Sequence, residues 1–177
     1  QIKVDSIIPR GGLGTGAVGG IIQVVSTHKA DVFVATINNM DKTNITGMAA
    51  TITPQSTSSK ILIMVHLGGV ACRSTGQRYG FGLKRGSTVI GQPTGTSNRT
   101  GALYATANFE GSSNGIESGA AFHFLDSPST TSATTYTVWT TVEGNGNEVA
   151  INRSDNDSDS SSVFRVSSNI TCFEMGS

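Results

Sequence analysis

Ser118–Val142 reads SGAAFHFLDSPSTTSATTYTVWTTV. Ala120–Leu125 is apolar and aromatic, Asp126-Ser-Pro128 interrupts it, and Ser129–Thr135 is small and hydroxylic. Tyr136–Val142 then alternates β-branched and aromatic residues with a period of two, the mark of a half-buried strand. A helix is excluded, because Pro128 lacks a backbone donor and the threonines lose rotamer freedom against a preceding helical turn. The stretch predicts strand, loop, strand, with the two strands at the centre of the sheet system.

Each strand is also apolar on both faces. Phe122 and Phe124 share one face of the first strand, and His123 and Leu125 share the other. In the second, Tyr136, Val138 and Val142 stand opposite Trp139. Antiparallel strands usually keep one face wet. Two apolar faces imply two things to bury against, the chain's own core and something else.

Working outward, the same alternation recurs. Strands are expected at 21–26, 31–37, 45–53, 60–71, 79–84, 87–91, 102–109, 148–152 and 168–175, in addition to the opening pair. Arg85-Gly86 reads as a hairpin turn. In 60–71, Ile61, Ile63, Val65 and Leu67 face one way, and Leu62, Met64 and His66 face the other. Many short strands with Gly, Ser and Asn punctuation predict an all-β fold, an antiparallel jelly-roll β-sandwich. Residues 1–20 form an N-terminal arm ending in a glycine-rich linker, and 21–177 form the head domain. The second apolar faces predict a homotrimer, with Leu62, Met64, His66, His123 and Trp139 as interface residues.

The totals agree with one domain and narrow its partners. The chain has 177 residues, of which 14% are charged, well under the usual ~25%. Twelve basic residues balance twelve acidic ones and no basic block stands out, so nucleic acid is not an expected partner. The apolar run Ile61–Val65 is far too short to insert in a membrane. No signal peptide is visible, and because Gln1 is not an initiator Met, upstream residues are expected to have been removed or not supplied. Cys72 and Cys172 are expected as free, buried thiols.

Several short patterns resemble chemical motifs. Gly14-Thr-Gly16-Ala-Val-Gly19 matches a dinucleotide fingerprint, but a strand-like Ile-Ile-Gln-Val-Val follows where a helix is required. Gly111-Ser-Ser113-Asn-Gly115 matches a nucleophile elbow, but only Glu117 and His123 follow as acid and base, too close in sequence to sit on separate strand ends. Asp155, Asp157 and Asp159 alternate as oxygen ligands for a hard cation, yet Ser160 and Val166 stand where a calcium loop needs Gly and Glu. The expectation for 154–162 is an exposed loop. His28, His66 and His123 lack metal-ligand spacing, and the two inside expected strands read as packed residues. Asn44, Asn98, Asn152, Asn156 and Asn169 each begin an N-x-S/T triplet, which matters only in a secreted eukaryotic protein. No catalytic residue and no cofactor is expected.

A longer pattern joins these pieces. It runs Lys3-Val-Asp-Ser-Ile-Ile-Pro-Arg-Gly-Gly12, Gly19-Gly-Ile-Ile-Gln-Val-Val25, Ile52-Thr-Pro-Gln-Ser-Thr-Ser-Ser-Lys-Ile-Leu-Ile-Met-Val65, Arg85-Gly-Ser-Thr88, Phe124-Leu-Asp-Ser-Pro-Ser-Thr-Thr-Ser-Ala-Thr-Thr-Tyr136, Ile151-Asn-Arg-Ser154 and Phe173-Glu-Met175. It resembles a family of small virion structural proteins, tail-fibre-like, of marine tailed bacteriophages including cyanophages. The phrase FLDSPSTTSATTY is its most specific part.

The resemblance implies a homotrimer with a C1q/TNF-like jelly-roll head, located in the virion and assembled in the bacterial host cytoplasm. It implies no catalysis. The head would meet a host-surface glycan or protein. The N-terminal arm would join other virion proteins, with Ile2, Val4, Ile7 and Ile8 anchoring it as an added strand. A capsid decoration or cement protein is the alternative. A glycan-processing enzyme is the third reading; it needs paired carboxylates, and Glu110, Glu117, Asp126 and Glu143 are scattered.

Overall fold

The computed structural model describes residues 20–72, 76–94, 97–107, 116 and 118–176. Among them the chain is all β. The strands are β1 Ile21–Lys29, β2 Phe33–Ile37, β3 Thr43–Ile52, β4 Lys60–Cys72, β5 Arg78–Arg85, β6 Thr88–Ile90, β7 Tyr104–Ala107, β8 Ser118–Asp126, β9 Thr134–Val142, β10 Asn147–Ile151 and β11 Ser168–Met175. These fall within a few residues of the expected runs, because alternation and Gly or Pro punctuation set both the strand and its ends.

Every pairing is antiparallel. The first sheet has the order β1-β11-β4-β10-β2, with β8 on the other edge of β4. The second has the order β3-β9-β5-β6, with β7 also pairing β5. From β2 to β5, and again from β7 to β10, each successive strand lies in the opposite sheet, so the chain winds back and forth across the sandwich as in a jelly roll. The sheets stack around one core. Ile61, Ile63 and Leu67 of β4 have no exposed surface, nor do Phe81 and Leu83 of β5 or Tyr136, Val138 and Val142 of β9. The expected hairpin is present: Arg85 pairs with Thr88 across Gly86, whose φ of 57° is a left-handed value that a side chain disfavours.

The opening stretch differs from its prediction in one respect. β8 and β9 are strands, but they belong to different sheets. β9 is central, between β3 and β5, while β8 pairs only with β4 among the described residues. The loop between them carries the chain across the sandwich, with Ser129 at φ 53° and Ser132 N bonded to Thr130 Oγ1 at 3.1 Å.

Side chains at the two ends of this loop clasp the sheets together. The buried Tyr136 hydroxyl donates to Asp126 Oδ2 at 2.7 Å, and Arg85 Nη1 reaches the two carboxylate oxygens at 3.1 and 2.9 Å. Burial first, and then the bond to Asp126, push the tyrosine pKa far above its ordinary value, so the hydroxyl stays a donor. The phrase FLDSPSTTSATTY is thus a crossover with its own fastening.

Candidate functional site

The most organised feature on the described surface is the outer face of four strands of the first sheet, β1, β11, β4 and β8. Period-two alternation sends Ile61, Ile63, Val65 and Leu67 into the core and turns Leu62, Met64 and His66 outward. Register then lines the outward residues into rows. One row is apolar across all four strands: Val24 opposes Phe173, Phe173 opposes Leu62, and Leu62 opposes Leu125. The next runs Ser26, Thr171, Met64, His123, and the next His28, Asn169, His66, Ala121. Ser26 Oγ and Thr171 Oγ1 share a hydrogen bond of 2.8 Å.

These side chains stand in water in the single chain. Val24 is 52% exposed, Leu125 49%, Met64 47% and Ile22 45%. Leu62 and Phe173 are half-buried beside them. Among the outward residues of these strands the only formally charged side chain at neutral pH is Lys60, opposite Met175 at one corner. At the far end the loop before β11 borders the face: a Cβ on Gly68 would lie 2.2 Å from the Ser167 carbonyl oxygen. All three histidines of the chain lie on this face, each exposed.

Four of the expected interface residues, Leu62, Met64, His66 and His123, therefore share one surface. Trp139 does not join them. It lies on the second sheet with no exposed surface. Its ring covers Gly82, its register partner, Nε1 donates to Leu83 O at 3.2 Å, and Lys42 Nζ sits 5.3 Å from the ring centroid. The second thing it buries against is its own chain. The histidines differ as well, being exposed rather than packed, and His28 is a strand residue because β1 runs on to Lys29.

Val24, Phe173 and Leu125 complete the apolar row, and the sequence reading did not count them as interface residues. Leu125 was legible as the partner of His123 on one face. Val24 and Phe173 sit in strands whose outward residues also include Ser26, His28, Thr171 and Asn169, so no single strand shows the row.

The three aspartates of the acidic loop, Asp155, Asp157 and Asp159, have separate surroundings. Asp157 is held by Arg165, with Nε and Nη2 each 2.6 Å from a carboxylate oxygen, and Arg153 Nη1 lies at 3.6 Å. Asp155 is buried and Asp159 is exposed. Among the described residues no group of three or more His, Cys, Asp or Glu gathers as a metal site would require. The loop is also less exposed than expected. Ser158–Ser162 are in solvent, but Ser154 and Asp155 are buried at its root. Asn152 explains the difference: at φ 70° its amide donates to Lys29 O at 3.0 Å and Asp31 O at 2.9 Å. Its Oδ1 accepts from Ser168 Oγ at 2.6 Å. That buried clamp pulls the loop root inward and leaves the Asn152 triplet no surface to modify.

Cys72 and Cys172 are buried thiols that are not joined in a disulfide, as expected. Burial pushes the Cys172 thiol up to about 12, so it carries no thiolate at neutral pH. The anchoring residues Ile2, Val4, Ile7 and Ile8, the glycine pattern at 14–19 and Ser113 lie outside the described residues.

No family model matches this chain, and no curated protein matches it. Among solved structures it is similar to the infectious bursal disease virus VP2 subviral particle, at 13% identity and a TM-score of 0.39. The match covers 95% of this chain and 44% of that one, so the chain spans less than half of its neighbour's length. A likeness this loose carries no inference about function.

Proposed function

We propose that the chain is a non-catalytic structural subunit of a bacteriophage virion. In this reading it is a homotrimeric, fibre-like component that presents a jelly-roll head for attachment to the host surface. The segment before Gly20 joins it to the other virion proteins.

The observation that carries the reading is the outer face of β1, β11, β4 and β8, whose single charge, Lys60, lies at a corner. It is an open surface with one apolar row beside neutral polar ones, suited to packing against protein rather than to enclosing a substrate. The sequence resemblance supports the same reading. Its most specific phrase maps onto the crossover fastened by Asp126, Arg85 and Tyr136. Asp126 and Tyr136 of that phrase are engaged in holding the sheets, which is a structural use of them.

Antibody raised against the head and imaged on purified particles of the encoding phage tests this. Label on a tail appendage, at the low copy number of a fibre, is expected. Label spread over the shell at high copy number would assign the decoration role instead. Particles that lack the protein altogether would end the virion reading.

A further inference from the structure

We infer that the outer face of β1, β11, β4 and β8 is where copies of this chain pack against one another, and that its histidines make the contact acid-labile. Size sets what such a contact must include. Four strands ~4.8 Å apart and eight residues rising ~3.3 Å each give a patch of about 500 Å² in plan. One side of a stable interface buries about 800 Å² of accessible surface, so the contact takes in the rim of the face as well as its four strands.

Charge identifies the occupant. A nucleic acid or an anionic lipid surface is recognised by positive charge, and an acidic or basic peptide by its opposite. This face offers only Lys60 at its corner, although the chain carries twelve basic and twelve acidic residues. A surface that meets a copy of itself has the contrary need. Under symmetry each charge recurs on the facing copy, and like charges brought together repel. An apolar row flanked by neutral polar rows satisfies that need.

The histidines add a condition. His28 faces Asn169 across the strand pair, His66 lies between Asn169 and Ala121, and His123 faces Met64. No carboxylate stands among the outward residues of the four strands, and Lys60 is the only other charge. Arg165, on the loop that borders the histidine end, is already paired with Asp157. Histidine gains positive charge between pH 8 and 5. Acid therefore adds up to three like charges per copy, with no acidic side chain on the face to receive them.

Sedimentation of the full chain at micromolar concentration tests the inference, and it does so independently of the virion reading. The expected result is a multimer at pH 8 and a monomer at pH 5. Leu62→Lys and, separately, Leu125→Lys should each give a monomer at pH 8 with an unchanged far-UV circular dichroism spectrum. The triple change His28→Gln, His66→Gln, His123→Gln should keep the multimer at pH 5. A wild-type monomer at pH 8, or a multimer indifferent to the two lysine changes, would overturn the interface. So would a multimer lost on deleting residues 1–19 yet unaffected by Leu62→Lys, which places the contact in the arm. A wild-type multimer that persists at pH 5 would overturn the role of the histidines.

Discussion

Asp126→Ala is expected to lower the free energy of unfolding by about 3–4 kcal/mol, read as a shift of the urea midpoint at constant slope. Asp126 is 7% exposed and sits at the end of β8, where the chain leaves the first sheet. Its carboxylate binds Tyr136 from β9 and Arg85 from β5, both in the second sheet. Truncation strands the Tyr136 hydroxyl, which has no exposed surface, and a buried donor left unmade costs about 1–3 kcal/mol. Arg85 loses a charge-assisted partner as well, but its side chain is 33% exposed and can turn to water, which limits the loss. Tyr136→Phe removes the donor and leaves the ion pair, so it should cost only about 1 kcal/mol. The double change Asp126→Ala, Tyr136→Phe should therefore cost less than the sum of the two, because no stranded hydroxyl remains.

Gly82→Ala should cost about 3 kcal/mol, a large effect for a single methyl group. A Cβ at residue 82 would lie 2.4 Å from Trp139 Cζ2 and 2.6 Å from Cε2. The indole cannot yield cheaply. It is fully buried and tied to the Leu83 carbonyl through Nε1. Moving it outward breaks that bond and exposes the ring. Trp139→Leu in the Gly82→Ala background should recover part of the loss, since the smaller side chain vacates the slot. Equal melting temperatures for Gly82→Ala and the wild type would mean that the ring does not rest on this glycine.

The same pair shows why one part of the sequence reading failed. Trp139 opposite an otherwise apolar face looked like a residue awaiting a partner molecule. Its partner was in the sequence, as the glycines that alternate in Tyr79-Gly-Phe-Gly-Leu83. A glycine on an outward strand position is a slot for an aromatic side chain on the neighbouring strand. Only the register that sets Gly82 against Trp139 turns that possibility into a contact.

The strands themselves were legible because alternation is a local property. β4 was expected at 60–71 and runs Lys60–Cys72. The clasp was not legible, since it joins side chains from three strands in two sheets. The acidic loop misled for a related reason. Asp157 looked free until the chain folded back and brought Arg165 and Arg153 to it, and the buried root at Asn152 depends on carbonyls more than a hundred residues away. The candidate face was half legible. β4 and β8 showed their outward apolar residues, but the row through Val24 and Phe173 exists only once β1 and β11 are in register.

The most direct measurement is a cryo-electron microscopy map of the assembled protein at side-chain detail. The predicted result places Val24, Phe173, Leu62 and Leu125 of each copy against a neighbouring copy, with the histidines at that contact. A map in which copies meet elsewhere and this row faces solvent would contradict it.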